Sequence, residues 1–297
     1  MTHWTHRVIR LVMRGRNAVG GEASPASQRR SLEQTARLVP VVRGTLVDPI
    51  DAGGVPAEWV AAPGAGRDRT ILYLHGGGYT VGSPRTHRPL VSRLGQASGA
   101  RVLSVDYRLA PEHPFPAAVD DAAAAYRWVL DHHASPGRLV VAGDSAGGGL
   151  AIATLLRARD DGLPMPAGLV LLSPWTDLTA SGESLEAKRD EDVWLDPDGV
   201  ADAAGVYLDG ADAADPLASP LFADHTGFPD TLIVVGTAEV LLDDSRRLAE
   251  RMRAVGVRVL LDEWTDMLHV FPAFAPYVPE SRRAIRQVGE FVRRRTS

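Results

Sequence analysis

The sequence predicts an α/β fold: a mostly parallel central sheet flanked on both faces by helices. Three observations carry that prediction. From residue 70 onward, short apolar runs alternate with segments of helical periodicity, the order that right-handed β–α–β crossovers require. The apolar runs are rich in Val, Ile and Leu and bounded by Gly, Pro or Asp, as strands buried on both faces are. At 297 residues, 45% hydrophobic and 23% charged, the chain can bury roughly three-quarters of its unfolded surface without a disulfide or metal.

In chain order, residues 45–50 and 57–62 are strands in a hairpin-like pair. The parallel strands follow at 70–74, 101–106, 138–142, 168–172, 231–235 and 257–263. Helical patterns occupy 87–96, 118–132, 146–160, 243–255 and 280–295. The helix at 118–132 turns Trp128 inward. One stretch breaks the rhythm. Between Pro174 and Pro229 no strand pattern appears, and acidic residues, Gly and Ala dominate. A structureless loop of that length is uncommon in a compact domain, so the stretch should carry its own helices. With the N-terminal segment it reads as a small helical cap. The expected division is 1–44 as the N-terminal part of the cap and 45–175 as the first part of the core. Residues 176–228 are then the cap insertion, and 229–297 the second part of the core.

Composition removes several function classes. The chain has no cysteine, which excludes thiol catalysis, iron–sulfur clusters, cysteine zinc sites and a disulfide framework. A net charge of −5 offers no electrostatic footprint for nucleic acid. No apolar run approaches 18 residues, so no transmembrane span or stable membrane insertion is expected. Near the N-terminus Arg7, Arg10, Arg14 and Arg16 interleave with apolar residues, and Arg10 interrupts the run a secretory signal would need. Trp4, Val8, Leu11 and Val12 share one helical face that should pack on the chain's own surface. The expected location is cytoplasmic.

The chemistry concentrates in two glycine-rich turns. Gly143-Asp144-Ser145-Ala146-Gly147 fits G-x-S-x-G between a strand and a helix. A serine on such a tight turn projects its hydroxyl from the sheet edge, and small neighbours let backbones approach. The helix N-terminus beneath it favours developing negative charge. His75-Gly76-Gly77-Gly78 follows the strand at 70–74, and three glycines there expose N–H groups as a nest for an oxyanion. The expected donors are the N–H groups of Gly76, Gly77 and Ala146, with His75 positioning the loop. A phosphate loop would need Gly-Lys-Ser/Thr, which does not follow.

A nucleophilic serine needs a base, and the base an orienting acid. Of nine histidines, His269 follows the last predicted strand, where a loop can return over the sheet edge. The acid should fall between Ser145 and His269 in chain order. Glu239, at the end of the strand at 231–235, is the candidate, with Asp243 in reserve. Catalytic residues are therefore Ser145, Glu239 and His269.

These strings resemble a known family. His75-Gly-Gly-Gly78, Asp106-Tyr-Arg-Leu-Ala-Pro-Glu112, Gly143-Asp-Ser-Ala-Gly-Gly148 and Asp215-Pro-Leu-Ala-Ser-Pro-Leu221 look like those of the hormone-sensitive-lipase-like bacterial carboxylesterases, the family IV esterases. Glu239-Val-Leu-Leu-Asp-Asp-Ser245 and Asp266-Met-Leu-His-Val-Phe271 extend the resemblance, which covers residue 45 to the C-terminus. It implies an α/β-hydrolase core with a helical cap and a Ser145–His269–acid triad. Many relatives carry aspartate as the acid; the matching strings place Glu239 there. Two departures stand out: Gly149, where asparagine is frequent, and Leu268, where proline is. The implied reaction is hydrolysis of short- to medium-chain carboxylic esters through an acyl-enzyme, with no metal or organic cofactor. Transfer of the acyl group to another acceptor, amide hydrolysis, and a non-catalytic small-molecule receptor are the rival readings.

Trp175, Val206 and Tyr207 offer apolar surface for the acyl or alcohol group of a small-molecule ester. Tyr79, Asp144 and Leu241 complete the expected substrate-binding set. Between Asp106 and Glu112 the reading is structural, with Arg108 and Glu112 pairing to brace the loop. The last strand should form a sheet edge, and an exposed apolar edge invites pairing. Relatives often dimerise there, so a homodimer through that strand and the C-terminal helix is expected.

Overall fold

The computed structural model of the chain describes residues 24–297, so the amphipathic segment expected within 1–20 lies outside the described residues. The sheet has eight strands: β1 (Leu46–Asp51), β2 (Pro56–Ala61), β3 (Gly66–Leu74), β4 (Ala100–Val105), β5 (Leu139–Asp144), β6 (Gly168–Leu172), β7 (Thr231–Gly236) and β8 (Val259–Trp264). Their spatial order is β1-β2-β4-β3-β5-β6-β7-β8. The first hairpin and the β2–β4 pair are antiparallel. Every pair from β4 to β8 is parallel. The helices are α1 (Pro25–Ala36), α2 (Pro84–Ser98), α3 (Ala117–His132), α4 (Ala146–Asp160), α5 (Ser184–Ala187), α6 (Pro197–Leu208), α7 (Leu242–Ala254) and α8 (Pro279–Arg295).

The pleat sorts each strand's side chains between two cores. On one face Leu72, Leu74, Leu139, Val141, Leu169, Leu171 and Ile233 meet Val129 of α3, Leu150 of α4 and Leu248 of α7. On the other, Ile71, Tyr73, Val140, Ala142, Val170, Leu172 and Val234 meet Val91 and Leu94 of α2 and Val288 and Val292 of α8. Burying each such Val or Leu contributes roughly 1.5–3 kcal/mol. This double burial explains why the central strands read as continuous apolar runs.

Local signals start and stop the helices. Ser83 and Thr86 form a reciprocal capping box at α2, which ends at Gly99 in the left-handed region (φ 69°). Asp196 caps α6 by accepting a hydrogen bond from Gly199 N–H at 2.8 Å. Between β6 and β7 the chain carries α5, α6 and a 3₁₀ turn at Pro220–Phe222.

One expected contact is not made. Arg108 does not pair with Glu112; its guanidinium forks onto Asp121 of α3 at 2.7–3.0 Å. Glu112 instead accepts from Arg29 of α1 at 2.7 and 3.0 Å. The loop after β4 is thus tied to two separate helices. Trp128 is only partly buried, packed against Trp59 and His133.

Candidate active site

At the C-terminal end of β5 the chain turns sharply through Ser145 into α4. Ser145 has φ 52° and ψ −124°, a conformation rare for a residue with a side chain. The turn closes only because the residues two positions either side are glycine. A Cβ on Gly143 would lie 2.1 Å from the Gly147 carbonyl oxygen, and one on Gly147 would lie 2.1 Å from that of Leu74. The second contact presses the start of α4 against the end of β3, so the two glycine-rich turns adjoin. Ser145 Oγ makes no protein hydrogen bond among the described residues, and its backbone N–H donates to Leu172 O at 2.9 Å.

The loops after β7 and β8 leave the same end of the parallel sheet and meet each other there. His269 and Glu239 are 4% and 0% exposed, and His269 Nδ1 lies 2.8 Å from Glu239 Oε2. Glu239 Oε1 accepts from Gly236 N–H at 2.6 Å and from the Ser173 hydroxyl at 2.8 Å. Ser173 directly follows β6, and its hydroxyl oxygen also accepts from Val270 N–H at 3.0 Å. Burial pulls the His269 pKa down, but the hydrogen bond and charge of Glu239, with Asp192 and Asp144 further off, raise it above 6.5. Asp243 is not against His269; its carboxylate accepts from Ser184 N–H at 2.8 Å.

The Glu239 loop is held from the β6–β7 segment. Asp192 Oδ2 accepts from Val240 N–H at 3.0 Å, and the Ser184 hydroxyl donates to Val240 O at 2.7 Å. Asp192 Oδ1 also accepts from Trp194 and Leu195 N–H at 2.8 and 3.1 Å. Asp244 is buried and accepts from Thr176 and Asp177 N–H at 2.6 and 2.9 Å. Burial, with Asp177 adding to it, pushes the Asp244 carboxyl up to about 7 despite those bonds.

Two expected assignments need correction at the first glycine loop. The Gly76 N–H is not free for an oxyanion: it donates to Asp144 Oδ1 at 3.1 Å. Asp144, expected among the substrate-binding residues, has its carboxylate committed inward. It is 3% exposed, accepts from the Tyr73 hydroxyl at 2.5 Å and lies 3.4 Å from His87 Nε2. The strand register puts Asp144 one residue beyond the Gly143–Leu74 pair, which aims its carboxylate under the loop. Burial opposes charge on both partners, yet their mutual attraction leaves His87 raised and Asp144 lowered. His75 is stacked between Tyr107 (4.3 Å) and His87 (5.4 Å), and burial with the nearby His87 lowers its pKa to about 3. It therefore stays neutral and structural.

The N–H groups of Gly77, Gly78 and Ala146 donate to no protein acceptor among the described residues. Gly77 has φ 124°, and a Cβ there would lie 2.2 Å from Val81 O. Gly78, absent from the expected donor set, faces Ala203 of α6. The signal that could have found it is the length of the glycine run, which leaves a spare N–H once the first is consumed.

The expected substrate residues divide into buried and open positions. Tyr79 and Tyr207 stack at 3.7 Å with nearly parallel rings, Trp175 lies 6.0 Å from Tyr79, and all three are at most 3% exposed. Leu241 is also buried, whereas Val206 and Trp194 are each 39% exposed. Gly149 admits this aromatic packing, since a Cβ there would lie 2.2 Å from Trp175 O and 3.1 Å from Tyr79 Oη. Among the described residues no group of three or more His, Cys, Asp or Glu side chains is arranged to hold a metal ion. None of their helices is long and apolar enough to cross a membrane.

Known proteins resemble the chain in sequence and in fold. A family model described as alpha/beta hydrolase fold matches residues 71–273. An acetyl-hydrolase of Streptomyces hygroscopicus is 48% identical over 249 residues, covering 84% of this chain and 83% of the relative. An esterase of Acinetobacter venetianus is 37% identical over 269 residues, 90% of this chain and 88% of that one. The crystal structure of an esterase from the bacterial hormone-sensitive lipase family superposes with a TM-score of 0.97 at 44% identity, covering 100% of both chains. By sequence and by fold alike, the chain belongs to the α/β-hydrolase family and, within it, to the hormone-sensitive-lipase-like family IV esterases.

Proposed function

We propose that this chain is a serine carboxylesterase that hydrolyses short- to medium-chain carboxylic esters through an acyl-enzyme on Ser145. Neutral His269 takes the Ser145 hydroxyl proton through Nε2 as Oγ attacks the ester carbonyl. Glu239 fixes the Nδ1–H tautomer and stabilises the imidazolium. The proton passes to the departing alcohol, leaving an acyl ester on Oγ. Water, activated by the same histidine, then attacks that ester and regenerates the serine. The oxyanion donors are the N–H groups of Gly77, Gly78 and Ala146, each typically worth about 3 kcal/mol.

The observation that carries this reading is the buried His269–Glu239 contact beside a serine held in strained geometry at a helix N-terminus. The relatives' names, acetyl-hydrolase and esterase, favour the same substrate class. Residues 176–228, with the described residues 24–44, are proposed as the cap, in keeping with the approach of α6 to Gly78; the rest of the expected 1–44 part lies outside the described residues. A homodimer through β8 and α8 is part of the proposal. Its support is that β8 ends the sheet and leaves Leu260 59% exposed.

The test is burst kinetics with p-nitrophenyl esters from acetate to decanoate, on wild type and Ser145→Ala. A burst of p-nitrophenol and preference for the shorter esters are expected from wild type, and no turnover from the variant. Full activity in Ser145→Ala would remove the mechanism.

A further inference from the structure

We infer that Ser173 is a positioning residue for the catalytic pair, holding Glu239 and the His269 loop in one register; this rests on the triad reading above. Ser173 is wholly buried, and its hydroxyl makes two bonds, one to the acid and one to the backbone just after the base. It donates to Glu239 Oε1 at 2.8 Å and accepts from Val270 N–H, one residue after His269, at 3.0 Å. A hydroxyl suits this place because it donates and accepts at once.

The backbone of Ser173 is equally committed. Its N–H donates to Val234 O at 2.8 Å, and its φ is 47°, in the left-handed region that favours glycine. A serine persists in such a conformation when the surrounding structure over-determines it. Ser173 is also one residue beyond Leu172, whose carbonyl accepts the Ser145 N–H at 2.9 Å. The end of β6 thus touches Ser145, Glu239 and the residue after His269 within two residues. With Oε1 tied to Ser173 and Gly236, the other oxygen of Glu239 is left to face His269 Nδ1.

Removing the hydroxyl frees one bond to Glu239 and one to the His269 loop, so the Glu239–His269 hydrogen bond that raises the His269 pKa weakens. In Ser173→Ala, kcat for p-nitrophenyl butyrate is expected to fall about tenfold, with KM within about twofold of wild type. The acid limb of kcat/KM is expected to move to lower pH. Ser173→Gly is the companion variant, because glycine accepts the left-handed backbone without strain and secures a folded protein. It should share both the kcat loss and the pH shift.

If Ser173→Gly keeps wild-type kcat, or if either variant leaves the acid limb in place or moves it upward, the positioning role is overturned. Ser145→Ala, run alongside, separates this from the parent reading. Activity in Ser145→Ala refutes the triad itself. Inactive Ser145→Ala with wild-type-like Ser173 variants refutes only the role of Ser173.

Discussion

His269 Nδ1 and Glu239 Oε2 face each other at 2.8 Å with both side chains sealed from solvent. In that setting burial disfavours an imidazolium, and the carboxylate more than offsets it. The net direction is upward from 6.5. A general base works only when neutral, so activity is lost as pH falls through the raised pKa. The acid limb of a kcat/KM–pH profile should therefore have its midpoint above 6.5, measured with an uncharged p-nitrophenyl ester. A midpoint at or below 6.5 contradicts this reading.

Replacing the acid tests the same contact from the other side. Glu239→Gln keeps the shape but removes the charge and lets the amide donate toward Nδ1, which selects the wrong tautomer. A fall in kcat of about 10³–10⁴-fold is expected, with KM little changed. The remaining acid limb should shift to lower pH. Equal losses in Glu239→Gln and Asp243→Asn would mean that neither residue is the specific partner of the histidine.

Asp144 predicts a stability effect instead of a binding one. Asp144→Ala leaves His87 and the Gly76 N–H without their partner, a loss of about 3–5 kcal/mol in urea unfolding. The pH dependence follows from the two directions. The raised His87 pKa makes its contribution complete below 6.5 and lost as pH rises through the folded value. The lowered Asp144 pKa makes its contribution complete above 3.8 and lost as pH falls through the folded value. Wild type and variant should differ most between 3.8 and 6.5, and less at alkaline pH. A gap that widens toward alkaline pH would exclude the ion pair as its cause.

Much of the fold was legible because double burial writes itself into composition. The strands β3, β5, β6 and β7 are apolar runs punctuated by Gly, Pro and Asp, and little else satisfies a buried parallel strand. Glu239 and His269 were legible as residues at strand ends, where loops converge. What escaped depends on register between strands. That Asp144 meets Gly76 follows from the alignment of β5 against β3, which one-dimensional spacing does not encode. Arg108 likewise was expected to pair with Glu112, and only the packing of α3 brings Asp121 to it. Nothing in the local sequence marks Ser173, because its partners lie 66 and 97 positions away.

Glycine positions in the elbow should tolerate no side chain. In Gly147→Ala the new methyl would sit 2.1 Å from Leu74 O, a backbone atom that cannot swing aside. Insoluble protein or inactive enzyme is expected. Gly137→Ala, where a Cβ meets nothing within 4 Å, is the matched control and should keep its thermal midpoint and activity. Comparable losses in the two variants would mean that the close approach at Gly147 does not set the requirement.

The edge strand supplies a last test. Leu260 lies on β8, and Leu260→Glu places a charge on the proposed dimer seam. Size-exclusion chromatography with light scattering should show wild type at twice the 31.8 kDa chain mass and the variant at once that mass. Unchanged mass in the variant, or a monomeric wild type, would reject the seam.

The peptide group of Val240 is gripped on both sides, its N–H by Asp192 and its carbonyl by Ser184. This makes the segment between β6 and β7 an unsuitable module to transplant alone. A chimaera receiving a foreign 176–228 would inherit a loop around Glu239 stripped of its external clasps. The segment between β6 and β7 and the loop that carries Glu239 are thus bound into one structural unit.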